Sequence, residues 1–291
     1  VASSRVVKKA VIPVAGLGTR FLPTTKALPK ELLPIVTKPI IHHIVKECVD
    51  SGIDTIVFIT SRSKVAVEDY FDSADLAALK LKEASKSYLI DEVLDLASRV
   101  NICSIRQPVA RGLGHAISLA APIVAEAPFA VVLGDDLIVN DAQPALRQCL
   151  ESFEALESGS VIGVLPVEES SVNQYGIVEF NSKHEVLRFL EKPEPHQTSS
   201  RWMMPGRYVF EPEILKALES TPPGKNQEIQ LTDAMQVLLK SKSFVAKTLS
   251  GERYDTGDRL GYIQANVAFA LKDPHLASLL RPWLSEFVKR H

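Results

Sequence analysis

The chain has 291 residues, 46% of them hydrophobic and 23% charged, with a formal net charge of −2. These proportions describe an ordinary globular protein with a sizeable core and argue against a dedicated nucleic-acid binder. No apolar run approaches the roughly 20 residues of a membrane-spanning helix, and the start, Val-Ala-Ser-Ser-Arg, lacks the apolar stretch of a secretion signal. Neither nucleic acid nor membrane is therefore expected as a partner. Cys48, Cys103 and Cys149 are odd in number and form no Cys-x-x-Cys pair. Buried free thiols in a reducing, cytoplasmic setting are expected. The length fits one large α/β domain, or one with an appended subdomain. Charge is uneven: residues 1–40 carry Arg5, Lys8, Lys9, Arg20, Lys26, Lys30 and Lys38 against Glu31 alone. Such an end is either a solvated basic face or the seat of an anionic ligand.

Residues 9–15 are apolar and rich in β-branched side chains, which predicts a buried strand. It stops at Gly16-Leu17-Gly18, and a long loop with prolines at 23, 29 and 34 follows. Long loops in compact domains are usually functional. Residues 40–51 have helical spacing and end at Gly52. A second strand is predicted over 55–60, helical pieces over 64–98, a third strand over 101–106 and a helix over 115–121. Residues 129–133 form the most apolar strand, ended by Gly134-Asp135-Asp136, and a helix is expected over 142–157. This alternation predicts a mostly parallel, Rossmann-like sheet flanked by helices. Beyond 160 the strands crowd together, over 160–166, 177–181, 186–191 and 208–210, predicting a small β-rich portion of hairpins beside the main sheet. Helices are expected over 212–219, 231–242, 258–271 and on to about 289. No repeat or low-complexity linker interrupts the chain.

In open α/β sheets, ligands sit beyond the carboxyl ends of the strands. Three segments lie there: 15–34, 107–114 and 134–136. The first reads Ala15-Gly16-Leu17-Gly18-Thr19-Arg20, with Lys26 and Lys30 beyond. Glycines let backbone approach phosphate, and their N–H groups make anion nests. A plain tight turn would use the same glycines. Phe21 stands where a dinucleotide fingerprint needs its third glycine, and no P-loop pattern is present. A stiff loop with spaced cations suits a polyphosphate. Gln107 offers a donor and an acceptor in one plane, matching uracil, although a solvated strand-end residue fits as well. Asp135 and Asp136 invite Mg²⁺, which takes one or two carboxylates plus substrate phosphates; a polar turn is the alternative. Neighbouring side chains diverge, so both carboxylates are not expected on one ion. Adjacent His42 and His43 do not form a helical metal pair, which needs a spacing of four.

Residues 11–34, VIPVAGLGTRFLPTTKALPKELLP, closely resemble the signature of bacterial UTP–glucose-1-phosphate uridylyltransferases, within the sugar-nucleotidyltransferase superfamily. Further matches continue to about residue 265. The resemblance implies the nucleotidyltransferase fold in a single domain. Residues 9–157 would form a nucleotide-binding half, 158–257 a sugar-binding half, and 258–291 C-terminal helices suited to a homo-oligomer interface, in a dimer or tetramer. It implies that UTP and glucose 1-phosphate give UDP-glucose and pyrophosphate with Mg²⁺ as cofactor. By the same resemblance Ala15, Gly16, Leu17, Gly18, Thr19, Lys26, Gln107, Gly112 and Asp136 line the nucleotide. Arg20, Lys30 and Lys192 are catalytic, Asp135 and Asp255 hold the metal, and Gly176, Glu191 and Lys192 meet the sugar phosphate. Residues 173–176, 206–208 and 228–233 also match, the last reading physically as a helix entry capped by Thr232 or Asp233. Three rival readings stay open: a thymidylyl- or adenylyltransferase, a silent regulatory relative, and a dinucleotide-dependent dehydrogenase. Thr19 and Arg20 count against the second, and the missing third glycine against the last.

Overall fold

The computed structural model describes residues 5–72, 90–224 and 227–290. Strand β1 (Lys9–Pro13) leads into the loop, which closes with a small ribbon of β2 (Pro34–Ile35) and β3 (Lys38–Pro39). Next come β4 (Thr55–Thr60), β5 (Asn101–Arg106) and β6 (Phe129–Val132), which run parallel with β1 in the order β6-β1-β4-β5. A short strand β7 (Asp136–Val139) follows. The second half supplies β8 (Ser160–Pro166), β9 (Gly176–Phe180), β10 (Val186–Glu191), β11 (Trp202–Met203), β12 (Arg207–Phe210), β13 (Phe244–Thr248) and β14 (Glu252–Asp255). Antiparallel β12 joins β6 to β8, so one ten-stranded sheet runs from β5 to the β9–β10 hairpin, with β13 parallel on β8. Strands β7 and β14 form a separate antiparallel ribbon.

Period-two alternation decides what each face buries. Ala10, Ile12, Ile56, Phe58, Ala130 and Val132 point to one side. There they meet Ile40, Ile44 and Cys48 of the helix Ile40–Asp50, and Leu146, Leu150 and Phe153 of the helix Ala145–Glu154. Val11, Val57, Ile59, Phe129 and Val131 point to the other side, against the helices Leu113–Ser118, Glu213–Ser220 and Leu231–Leu238. The sheet is thus apolar on both faces, which leaves its edges and strand ends for chemistry.

The expected hairpins beside the sheet are instead partly built into it, since β8 and β12 continue the parallel core. Strands β2, β3, β7, β11 and β14 carry too few residues, or too many charges, for their period to be read, and β13 is not among the expected strands. The helix expected from 142 begins at Ala145, directly after Pro144. The helix expected over 115–121 is two short pieces, Leu113–Ser118 and Ala121–Val124. Of the helical span expected over 64–98, Val65–Asp69 and Asp91–Arg99 are helical, and residues 73–89 lie outside the described residues. Gln230, not Thr232 or Asp233, precedes the helix Leu231–Leu238, and it supplies no side-chain cap. All three cysteines are free, but Cys103 is only half-buried.

One buried cation ties the layers together. Arg207 is 0% exposed and donates to both Glu47 carboxylate oxygens at 2.8 and 2.7 Å, and to the Asp136 carbonyl at 2.7 Å. Glu47 also accepts from the Leu146 N–H at 2.9 Å. Removing one partner of a buried pair leaves an uncompensated charge. Arg207→Met should therefore cost about 3–5 kcal/mol in urea denaturation, whereas Arg207→Met with Glu47→Leu should recover most of that loss.

Candidate active site

The loop after β1 is held in place from below. Gly18 has φ +66°, and a side chain there would put its Cβ 3.0 Å from Lys30 Cβ and 3.3 Å from Thr25 Cγ2. Thr25 Oγ1 donates to the Gly18 carbonyl at 2.7 Å. A Cβ at Gly16 would lie 3.7 Å from Lys30 Cε. Gly18 thus makes room for the Lys30 side chain against the loop, and Gly16 lies in ordinary contact with it. Ala15 is half-buried, while Gly16, Leu17, Thr19, Arg20 and Lys26 face solvent. From the far side, Arg259 Nε donates to the Arg20 carbonyl at 2.8 Å and Tyr262 packs edge-on against Phe21.

Lys30 Nζ meets Asp135 Oδ2 at 2.5 Å. Burial works against both charges, but each outweighs that for the other: the Asp135 carboxylate raises Lys30, and the Lys30 ammonium holds Asp135 below its ordinary value. The Asp135 carbonyl accepts from the Thr256 N–H and Oγ1, each at 2.8 Å, so the turn after β14 lies against the end of β6. This brings Asp255 to the same point. A methyl on Gly257 would sit 3.0 Å from Asp135 Oδ2 and 3.1 Å from Asp255 Oδ1. Arg20 Nη1 donates to the Gly257 carbonyl at 3.3 Å. Arg20, Lys30, Asp135 and Asp255 therefore converge on one spot.

The two adjacent aspartates do diverge. Asp136 lies directly opposite Asp255 in the β7–β14 ribbon, buried, with Arg253 Nε on its Oδ1 at 2.5 Å. Burial pushes its pKa up to about 7 against the pull of Arg253. The structure thus gives Asp136 to Arg253 rather than to the open side with Asp135.

Gln107 directly follows β5 on the wall of a cavity of about 650 Å³ that it shares with Ala15, Leu17, Ser61, Arg106 and Pro108. Its Nε2 donates to His115 Nδ1 at 2.9 Å and to the Gly112 carbonyl at 3.4 Å, which fixes the amide plane. Gly112 has φ +90°, and its missing Cβ would fall 2.7 Å from Glu228 Cβ. This glycine admits the 228–229 segment, whose Ile229 N–H bonds the Arg111 carbonyl at 2.8 Å.

Beyond the ribbon, Glu191 Oε2 accepts from Thr232 Oγ1 at 2.6 Å and would lie 3.5 Å from a Cβ on Gly176. Thr232 thus spends its hydroxyl on Glu191 instead of capping its helix. Lys192 has φ +44° and a half-exposed side chain; its N–H donates to the Tyr175 carbonyl at 3.1 Å. Tyr175 Oη donates to Asp255 Oδ2 at 3.4 Å, which joins the Lys192 turn to the carboxylates. His42 is occupied structurally, by Tyr70 and Glu92.

Sequence reasoning passed over Arg253, His115 and Lys64. Lys64 is buried and meets Glu31, the neighbour of Lys30, at 2.5 Å. Burial pushes Glu31 up and Lys64 down, each against the other's charge. Nothing in the local pattern marks Lys64 or the Arg253–Asp136 contact, because Glu31 and Asp136 lie 33 and 117 residues away in sequence.

Comparison with known proteins identifies the family. The sequence profile described as nucleotidyl transferase matches residues 9–271. The chain belongs to the nucleotidyl transferase family. It is 42% identical to a UTP–glucose-1-phosphate uridylyltransferase of Bacillus subtilis, over 98% of each chain. The same identity and coverage hold for UTP–glucose-1-phosphate uridylyltransferase 2 of Staphylococcus saprophyticus. Among solved structures, a UTP-bound UGPase from Acinetobacter baumannii superposes with a TM-score of 0.89 at 35% identity, over 97% of this chain and 99% of that one. A UDP-glucose pyrophosphorylase complexed with UDP-glucose gives 0.84 at 35% identity, over 92% and 100%.

The Glu31–Lys64 pair beneath the loop is the site's structural floor. Lys64→Met leaves the Glu31 carboxylate buried and unpaired, and should lower stability by about 3–5 kcal/mol, read as a fall in the urea midpoint.

Proposed function

We propose that this protein transfers the uridylyl group of UTP to α-D-glucose 1-phosphate, giving UDP-glucose and releasing pyrophosphate. The observation that carries the reading is the convergence of Arg20, Lys30, Asp135 and Asp255 beside Gly257. The glycine loop lies against Lys30 and shares a cavity with Gln107, while Glu191-Lys192 is joined to Asp255 through Tyr175. The relatives' names supply the nucleotide and the sugar.

The reaction's difficulty is electrostatic. Two unit charges of one sign 4 Å apart repel by about 4 kcal/mol at an effective dielectric near 20, and both substrates are polyanions. Positioning and charge stabilisation carry such transfers, with little covalent help. In this reading Gly16 and Gly18 give the triphosphate access to backbone N–H groups, while Ala15, Leu17 and Thr19 shape the loop. Arg20 and Lys30 offset its charge, with Lys26 at the rim. Gln107, whose amide N–H groups go to His115 and the Gly112 carbonyl, offers its Oε1 to the uracil N–H. Glu191 receives sugar hydroxyls and Gly176 allows the sugar close approach. Lys192 holds the incoming phosphate, one of whose oxygens attacks the α-phosphorus as pyrophosphate leaves. A phosphate monoester is already ionised near neutrality, its second pKa lying near 6, so the step requires no general base.

Two carboxylates reaching one point fit Mg²⁺, which binds through one or two carboxylates and substrate oxygens. Asp135 and Asp255 would hold it. Bound there, Mg²⁺ supplies charge stabilisation to the phosphates. Residues 9–157 serve as the nucleotide half and 158–257 as the sugar half. No helix among the described residues is long and apolar enough to cross a membrane, and cytoplasmic action is part of the same reading. So is self-association through the C-terminal helix Pro274–Arg290, which exposes Leu279 and Trp283.

Pyrophosphate release over a matrix of nucleotides and sugar phosphates should be fastest with UTP and glucose 1-phosphate, and chelation of the divalent cation should abolish it. A clear preference for dTTP or ATP would overturn the assignment. Lys192→Ala should retain UTP binding and lose about 10²–10³ in turnover. Turnover above half that of the parent would refute the role given to Lys192.

A further inference from the structure

The β7–β14 ribbon sets two carboxylates face to face. Asp136 and Asp255 are cross-strand partners, and like charges directly opposite destabilise a strand pair. Arg253 stands two residues along β14 and therefore on the same face. Its Nε meets Asp136 Oδ1 at 2.5 Å and its Nη2 meets Asp255 Oδ2 at 3.1 Å. The guanidinium lies over the Tyr175 ring, 4.7 Å from the centroid. Tyr175 in turn donates through Oη to the same Asp255 oxygen, and its carbonyl accepts from the Lys192 N–H.

We infer that Arg253 is a positioning residue that fixes Asp255 and the Lys192 turn relative to each other. By engaging Asp255 Oδ2 together with Tyr175 Oη, it leaves Oδ1 to accept the Gly257 N–H at 3.1 Å, in the turn that lies against Asp135. By bracing the Tyr175 ring, it steadies the residue on which the backbone of Lys192 rests. A lysine would not reproduce this. Only a planar fork spans two carboxylates while stacking on an aromatic face. The inference rests on the proposed function, in which Asp255 faces the cation and Lys192 the incoming phosphate.

The test compares Arg253→Lys, the paired variant Arg253→Met with Asp136→Asn, and Asp255→Ala as reference. The paired variant removes both buried charges, so Asp136 is not left unpaired. Three quantities are read: the urea midpoint, the steady-state constants, and Mn²⁺ affinity by electron paramagnetic resonance with UDP-glucose bound and pyrophosphate absent. The last is independent of turnover. The paired variant should fold, keep KM for UTP near the parent value, and lose about 10–100-fold in both kcat and Mn²⁺ affinity. Arg253→Lys should keep the parent urea midpoint and still show the loss in kcat. Parent-like kcat and Mn²⁺ affinity in Arg253→Lys would overturn the inference, and that variant decides the question alone if the paired one does not fold. Parent-like Mn²⁺ affinity in Asp255→Ala would instead overturn the metal reading itself. Loss in Asp255→Ala with none in the Arg253 variants would sink the Arg253 inference and leave that reading standing.

Discussion

The contact between Lys30 and Asp135 is the joint on which the site depends. It links the loop after the first strand to the end of the most apolar strand, across 105 residues of sequence. The Lys30 side chain packs so closely on Gly18 that a Cβ there would stand 3.0 Å from Lys30 Cβ, which couples the shape of the glycine loop to the position of the cation. The turn carrying Asp255 is bonded to the Asp135 backbone, and Arg20 to that turn. In the proposed reaction the pair has a second consequence. A carboxylate and an ammonium held together are each kept in the charged form before a polyanion or a divalent cation arrives. The site therefore offers both signs of charge at once, without waiting for proton transfer.

Below this joint lies a tier of sealed charges. Arg207 with Glu47, and Glu31 with Lys64, are almost wholly removed from water. Buried pairs of this kind are weak evidence of net stability, because desolvation consumes most of their attraction. Their geometry is more telling than their energy. Arg207 fixes the start of β7 through the Asp136 carbonyl, and Lys64 fixes the residue next to Lys30. Each anchors the backbone beside an exposed or half-exposed charge of the upper tier. An apolar substitute could fill the same volume but could not orient a carbonyl or a short helical turn.

The sequence was legible where one strand or one loop carries its own signal. Strands β1, β4 and β6 announce themselves by short apolar runs rich in β-branched residues, and the glycine–proline loop by its punctuation. The resemblance in residues 11–34 named the family before any contact was known. What stayed hidden is relational. The ribbon β7–β14 is two four-residue strands, each containing aspartate, and neither shows an apolar period. Its existence makes Asp136 face Arg253 and Asp135 face Lys30, a division that a run of two aspartates cannot disclose. Thr232 reads as a helix cap because caps are local, yet its hydroxyl is claimed by Glu191, 41 residues earlier. The resemblance places Gly112 at the nucleotide, and the space where its Cβ would stand is taken by Glu228 and Ile229.

Lys192 shows how backbone strain and function meet. Glu191 ends β10, and the next residue turns left-handed at φ +44°. For a residue with a Cβ this conformation costs roughly 1–2 kcal/mol, and it persists only where the surroundings overdetermine it. Here the N–H of Lys192 is tied to Tyr175, and Pro193 behind it is buried. The turn breaks the strand's alternation, so Glu191 and Lys192 need not diverge to opposite faces of the sheet. Their charged ends lie 4.0 Å apart. A regular strand would carry one of the two away from the cleft. The strain thus delivers a carboxylate and a cation to one edge, which in the proposed reaction serves the hydroxyls and the anionic group of a sugar phosphate. Because Tyr175 is shared with Arg253 and Asp255, the same strained turn is set in register with the carboxylates across the cleft.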